Sequence, residues 1–128
     1  MKKIKGILID VDNNQVKVVE VNNDLDDIRK LIRCKYIDII RRPVHGKEYT
    51  FVIDDEGLLP EAPIPSCVSS ERVEIVGNTF VVNDNCSGDD IASLNDDDIE
   101  LIQKNIVSTV LKDKNTNKQS EIKILAIY

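Results

Sequence analysis

The stretch at residues 36–57, YIDIIRRPVHGKEYTFVIDDEG, constrains the fold more than any other part of the chain. Residues 36–40 and 48–53 are rich in β-branched and aromatic side chains, which suit a pleated, half-buried surface. Between them Arg42-Pro43 and His45-Gly46 supply turn chemistry, and Pro43 is placed in the connection because proline has no amide hydrogen to give a ladder. Alternation along a strand then sends Tyr49, Phe51 and Ile53 to one face and Thr50, Val52 and Asp54 to the other. Apolar groups on both faces predict the central hairpin of a sheet that is covered on both sides.

The rest of the chain is read around that hairpin. With 128 residues, 41% hydrophobic and 31% charged, one domain spanning 1–128 with a single core is expected. Residues 4–11 and 16–21 predict an opening hairpin that turns through Asp12, Asn13, Asn14 and Gln15. Asn22 to Asp24 cap a short helix in which Leu25, Ile28, Leu31 and Ile32 recur at helical spacing to about Cys34. Its acids lie in the first turn and its bases in the last, as the helix dipole favours. Pro60, Pro63 and Pro65 exclude a regular helix or central strand over 58–70. Residues 71–76 and 79–83 predict another hairpin, turning at Gly77-Asn78.

Leu94-Asn95-Asp96-Asp97-Asp98-Ile99 spells out a helix start: Asn95 caps, Asp98 completes a capping box, and Leu94 packs on Ile99 as a hydrophobic staple. Ile99, Ile102, Ile106, Val107 and Val110 extend the apolar stripe of this helix to about Lys112, and a last strand follows over 121–127. The order β-β-α-β-β-β-β-α-β describes an α+β domain, a mostly antiparallel sheet built from hairpins with two helices packed on it.

The succession YIDII, DDEGLL, VGNTFVV and SLNDDDI resembles an uncharacterised family of small proteins from phages, plasmids and mobile elements, the domain of unknown function 3846, over about residues 4–102. That family has an acidic turn ending in glycine and a Leu-Thr-acidic-acidic helix start, for which this chain has Leu94-Asn95-Asp96-Asp97. Where the family tends to carry Asn-x-x-Ala or Asn-Arg-Ala, this chain has Ile64-Pro65-Ser66. The resemblance implies an accessory gene of a mobile element and names no reaction.

Charge narrows the choice of partners. The net charge of −6 is divided unevenly: residues 1–50 carry 11 basic and 8 acidic side chains, residues 51–128 carry 6 and 15. Arg29, Lys30, Arg33, Lys35, Arg41, Arg42 and Lys47 fall in one run that holds a single acid, Asp38. An acidic chain is poorly suited to non-specific binding of a nucleic-acid duplex, where affinity comes from neutralising phosphates. A local basic patch suits one small anion instead. Arg41, Arg42, His45 and Lys47 are the candidate donors, with Tyr49 packing on the apolar part of the ligand and Tyr36 as a further stacking surface.

Other chemistries find less support. Asp10, Asp12 and Asn14 imitate the start of a calcium loop, but Gln15 stands where glycine is needed and Val21 where a bidentate glutamate is needed. Asp54, Asp55, Glu56 and Glu61, joined by Asp96, Asp97 and Asp98, are the residues a magnesium-dependent hydrolase would use, yet acids at a turn and a helix start already have structural reasons to be there. Cys34, Cys67 and Cys86 are odd in number, lack Cys-x-x-Cys spacing and are read as free thiols, and His45 is the only histidine. No metal and no cofactor are expected. The N-terminus turns acidic too soon for a secretory signal, and a cytoplasmic location is expected.

The reading favoured is a non-enzymatic, phage-type accessory protein that binds and inhibits or sequesters a host defence component, either a host protein or a small nucleotide-derived anion. The alternatives are a small metal-dependent hydrolase or nucleotide-processing enzyme, and an assembly protein that homo-oligomerises through exposed sheet edges.

Overall fold

Ten strands and two helices follow one another along the described residues of the structure, a computed structural model that covers 3–55, 65–69, 73–84, 91–112 and 119–127. They are β1 (Lys3–Asp10), β2 (Gln15–Asn22), α1 (Leu25–Ile32), β3 (Ile37–Val44), β4 (Lys47–Asp54), β5 (Pro65–Val68), β6 (Val73–Val76), β7 (Thr79–Asp84), β8 (Ile91–Ala92), α2 (Asp96–Lys104), β9 (Ile106–Lys112) and β10 (Gln119–Ala126). The first sheet runs β2-β1-β7-β4-β3 with β8 paired to β7, and the second runs β6-β5-β10-β9. Pairing is antiparallel except between β10 and β5. The expected fold class holds: a mostly antiparallel α+β fold with two helices packed on sheet.

Alternation divides the apolar side chains of the first sheet between two cores. Ile7, Ile9, Tyr49, Phe51 and Val81 face the second sheet and α2, where they meet Cys67, Ile75, Leu125, Leu94 and Ile102. Ile4, Leu8, Val52, Phe80 and Val82 face the other way and are covered by Ile28 and Ile32 of α1. The central strand β4 thus has apolar cover on both sides, as its sequence requires.

Gly6 sits where Phe80 crosses β1. A Cβ on Gly6 would lie 2.5 Å from the Val81 carbonyl oxygen, 2.7 Å from the Phe80 ring and 2.8 Å from Val82 Cγ1. Two of those neighbours are packed in the α1-side core, and the third is backbone. Gly6→Ala is therefore expected to cost about 1–3 kcal/mol through overpacking, read as a lower urea midpoint at unchanged slope. An unchanged midpoint would mean that this crossing is looser than described.

The hairpin of β3 and β4 is tighter than its sequence suggests. Val44 pairs with Lys47, so the turn is only His45-Gly46, with φ of +47° and +90°. Positive φ at both positions is the two-residue turn whose twist matches the strands it joins. Pro43 consequently lies inside β3, paired with Glu48, and not in the connection. It is tolerated because β3 is an edge: one residue before the closing pair, its nitrogen points away from β4. Two more devices blunt this edge. The Ile39 N–H donates to Asp38 Oδ1 at 2.8 Å, and the Arg41 carbonyl accepts from Arg42 Nη1 at 2.7 Å.

Three further sequence expectations are corrected. β6 and β7 are not a hairpin: β6 pairs with β5 in the second sheet, whereas β7 pairs with β1 and β4 in the first. The chain changes sheet at Gly77, whose φ is +79°, and at buried Asn78. Pro65 opens an interior strand, allowed because it stands at the first position and the β5–β6 register is irregular there. Finally, α2 ends at Lys104, and 106–112 form β9. Ile106, Val107, Thr109 and Val110 are β-branched, which disfavours helix and favours strand, and Val110 is exposed rather than on a buried helical face.

Candidate functional site

The basic run at 29–47 is divided by the fold into two groups on opposite faces of the first sheet. Arg41 is cross-strand from Thr50, on the face that α1 covers, while Arg42 is cross-strand from Tyr49, on the face that meets the second sheet. Lys47 shares the side of Arg42, and His45 stands in the turn between them.

On the α1 face, Arg29, Lys30, Arg33 and Lys35 border an open groove of about 690 Å³ with Cys34 and Asp26. The end of the helix shapes it. Arg33 takes φ of +56°, and the N–H groups of Arg33 and Cys34 donate to the carbonyls of Lys30 and Arg29. Arg29 pairs with Asp26 across 3.4 Å at an exposed position, a contact worth little in water. Among the described residues Lys30 makes no ion pair, and Lys35 Nζ lies 5.6 Å from the centroid of the Tyr36 ring, which is 53% exposed. Burial and then the charge of Asp54 push the Cys34 thiol up to about 11, so it is protonated and a poor nucleophile at neutral pH.

Arg33 also ties this face to the frame. Its guanidinium donates to Asp10, a buried carboxylate, and lies 3.3 Å from Asp12. Asp10 accepts further bonds from the Asn13 backbone and side chain at 3.2 and 2.9 Å. Burial alone would raise its pKa, but the bonds from Arg33 and Asn13 outweigh that and hold it below the usual range. Asn78 completes the corner, donating to Asp12 at 3.0 Å and to the Ile32 carbonyl at 3.2 Å, and accepting from the Val11 N–H at 2.9 Å. Of the residues that imitate a calcium loop, Asp10 and Asp12 thus join the β1–β2 turn, the end of α1 and the sheet crossing, while Asn14 donates to the Glu121 carbonyl and accepts from the Lys123 N–H of β10, both across about 3 Å.

On the opposite face, the hub is Asp98, 2% exposed at the start of α2. The capping box forms as read from the sequence: the Asp98 N–H donates to Asn95 Oδ1 at 2.8 Å, and Asp98 Oδ2 accepts from the Asn95 N–H at 3.1 Å. The same carboxylate accepts from the Lys47 ammonium, from the Tyr49 hydroxyl at 2.8 Å and from Asn83 Nδ2 at 2.6 Å. Burial would raise its pKa, yet these donors bring it down to about 2. The Tyr49 hydroxyl is raised by burial and by Asp98.

Of the residues proposed from sequence as ligand contacts, the structure brings Lys47 and Tyr49 together on Asp98, with the Tyr49 ring fully buried. Arg42 meets Glu74 of β6 at 3.4 Å, Arg41 is on the other face, and His45 stays at the hairpin tip. Sequence reasoning found Asp98 as a cap and as one of a group of candidate magnesium carboxylates, not as the partner of Lys47, Tyr49 and Asn83; these lie 51, 49 and 15 residues away and left no local signal.

Asp54 and Asp55 border a cleft between β3, β4 and β6, while Glu56 and Glu61 lie outside the described residues. Among the described residues no group of three or more His, Cys, Asp or Glu side chains is placed to hold a metal ion, and no helix is long and apolar enough to cross a membrane. Cys34 and Cys67 are free thiols, burial pushes Cys67 up to about 12, and Cys86 lies outside the described residues.

Residues 4–107 match the model of one protein family, described as a domain of unknown function (DUF3846). No curated protein and no solved structure matches the chain.

Proposed function

Taking as premise that the chain belongs to the DUF3846 family, we propose that it is a non-enzymatic accessory protein of a mobile element that sequesters a small, nucleotide-derived anion of its host's defences. The observation that carries this reading is the groove on the α1 face. Four cations border it on a chain whose net charge is −6, and Tyr36 presents an exposed ring beside Lys35. Guanidinium and ammonium groups suit phosphate oxygens, and an exposed aromatic face accepts a base. Arg41 extends the positive charge along the same sheet face.

The side chains that a catalyst would recruit support binding over turnover. Asp98 is saturated by Lys47, Tyr49, Asn83 and Asn95, Asp10 is held by Arg33 and Asn13, and burial holds the Cys34 and Cys67 thiols protonated at neutral pH. None is left as a poised base or nucleophile.

Calorimetric titration of the full chain with adenosine triphosphate and with inorganic tripolyphosphate tests this. Both are expected to bind, the nucleotide more tightly, and Lys30→Glu with Lys35→Glu is expected to weaken both by at least about tenfold through like-charge repulsion. Tyr36→Ala should remove only the advantage of the nucleotide. Equal binding by the charge-reversed protein, or hydrolysis of the nucleotide on adding magnesium, overturns the reading.

A further inference from the structure

The edges of the two sheets stand side by side, and between them runs a cleft of about 350 Å³ that the anion reading does not use. Its floor is apolar: Ile53 of β4, Ile75 of β6, and Val73, which is 49% exposed. Its rim carries Asp38, Asp54 and Asp55, of which Asp38 and Asp55 face solvent. A guanidinium is already lodged at this junction, since Arg42 of β3 reaches Glu74 of β6 at 3.4 Å.

We propose that the cleft is the docking point for a partner protein, and that it receives an arginine side chain flanked by apolar residues. Charge complementarity selects the occupant. The methylene stem of arginine packs along Ile53, Val73 and Ile75, and its planar head meets the rim carboxylates with two donors at once. Arg42 against Glu74, a single Nε–Oε2 contact at 3.4 Å, is a guanidinium–carboxylate pair of the same kind made within the chain. The blunted β3 edge decides the mode of docking: with Pro43 lacking an N–H, the Ile39 N–H taken by Asp38 and the Arg41 carbonyl taken by Arg42, a partner segment gains little by pairing as an added strand and must engage through side chains.

The proposal is independent of the groove on the α1 face, which has none of these residues in its lining. Methyl and amide shifts of the full chain are followed by nuclear magnetic resonance during titration with a capped tripeptide, arginine between two leucines. The same tripeptide with citrulline, a neutral isostere of arginine, serves as control. Saturable shifts at Ile53, Val73 and Ile75 are expected, with the citrulline peptide binding at least about fivefold more weakly. Asp38→Asn with Asp55→Asn should weaken the arginine peptide by a similar factor. Shifts centred elsewhere, equal binding of the citrulline peptide, or indifference to the paired substitution would each overturn it. Shifts at the cleft that grow with protein concentration in the absence of peptide would overturn it in favour of a second copy of the chain.

Discussion

Asp98→Ala is expected to lower the free energy of unfolding by about 3 kcal/mol, a large fraction of the roughly 5–15 kcal/mol typical of a domain. The substitution removes an acceptor that four donors share in a buried place. The Lys47 ammonium can turn to water, being half exposed, but the Tyr49 hydroxyl and the Asn83 amide lose their partner, and the first turn of α2 loses half of its capping box. The pH dependence separates the charge from the shape. A carboxyl held at about 2 when folded, against 3.8 when free, contributes stability that is fully present above the free value and is lost as pH falls through the folded one. Asp98→Asn keeps the shape and removes the ionisation. Urea midpoints between pH 5 and pH 2 should fall more steeply for the parent chain than for Asp98→Asn, and parallel curves would mean that Asp98 is not ionised in its site.

Ile102→Ala comes next, with an expected cost of about 2–5 kcal/mol for a buried isoleucine truncated in a packed core. Ile102 is 0% exposed and sits with Leu94 of the approach to α2, Phe51 of β4 and Leu125 of β10, so the cavity would open where helix and both sheets meet. Val110→Ala provides the contrast. On the sequence reading it lies on the same helical stripe, but in the structure it is on β9 and 60% exposed, and its truncation should cost less than about 0.5 kcal/mol. Similar midpoints for the two variants would restore the longer helix.

What could be read in advance was what depends on neighbours in sequence. Asn95 and Asp98 are three residues apart, and their capping box followed from that spacing alone. Tyr49 and Phe51 alternate with Thr50 and Val52, so the two-faced burial of β4 followed too. The α2–β9 boundary was hidden because Ile99, Ile102, Ile106 and Val110 satisfy a helical period, and only their β-branching argues otherwise. The exchange of sheets at Gly77-Asn78 was hidden because a glycine at positive φ marks a turn without saying which strand receives the chain. The charged face was least legible: a run of cations adjacent in sequence is parted by strand alternation and by the αL end of α1, and Lys47 is neutralised by an acid 51 residues away.

The position of β10 also sets an order of assembly. The neighbours of every strand in the β2-β1-β7-β4-β3 path are complete once residue 84 is available, whereas β5 and β9 both await β10, the strand that lies between them. Its parallel partner β5 is more than fifty residues upstream, so a long loop must close before that contact returns any free energy. Until then only the β5–β6 pair of the second sheet is available to cover the core-facing side of the first, with Ile7, Ile9, Phe51 and Val81. During synthesis that apolar side stays incompletely covered for as long as translation takes to run from residue 84 to residue 126, several seconds at roughly 5–20 residues per second, and slow translation through this stretch prolongs the interval in which nascent chains can associate.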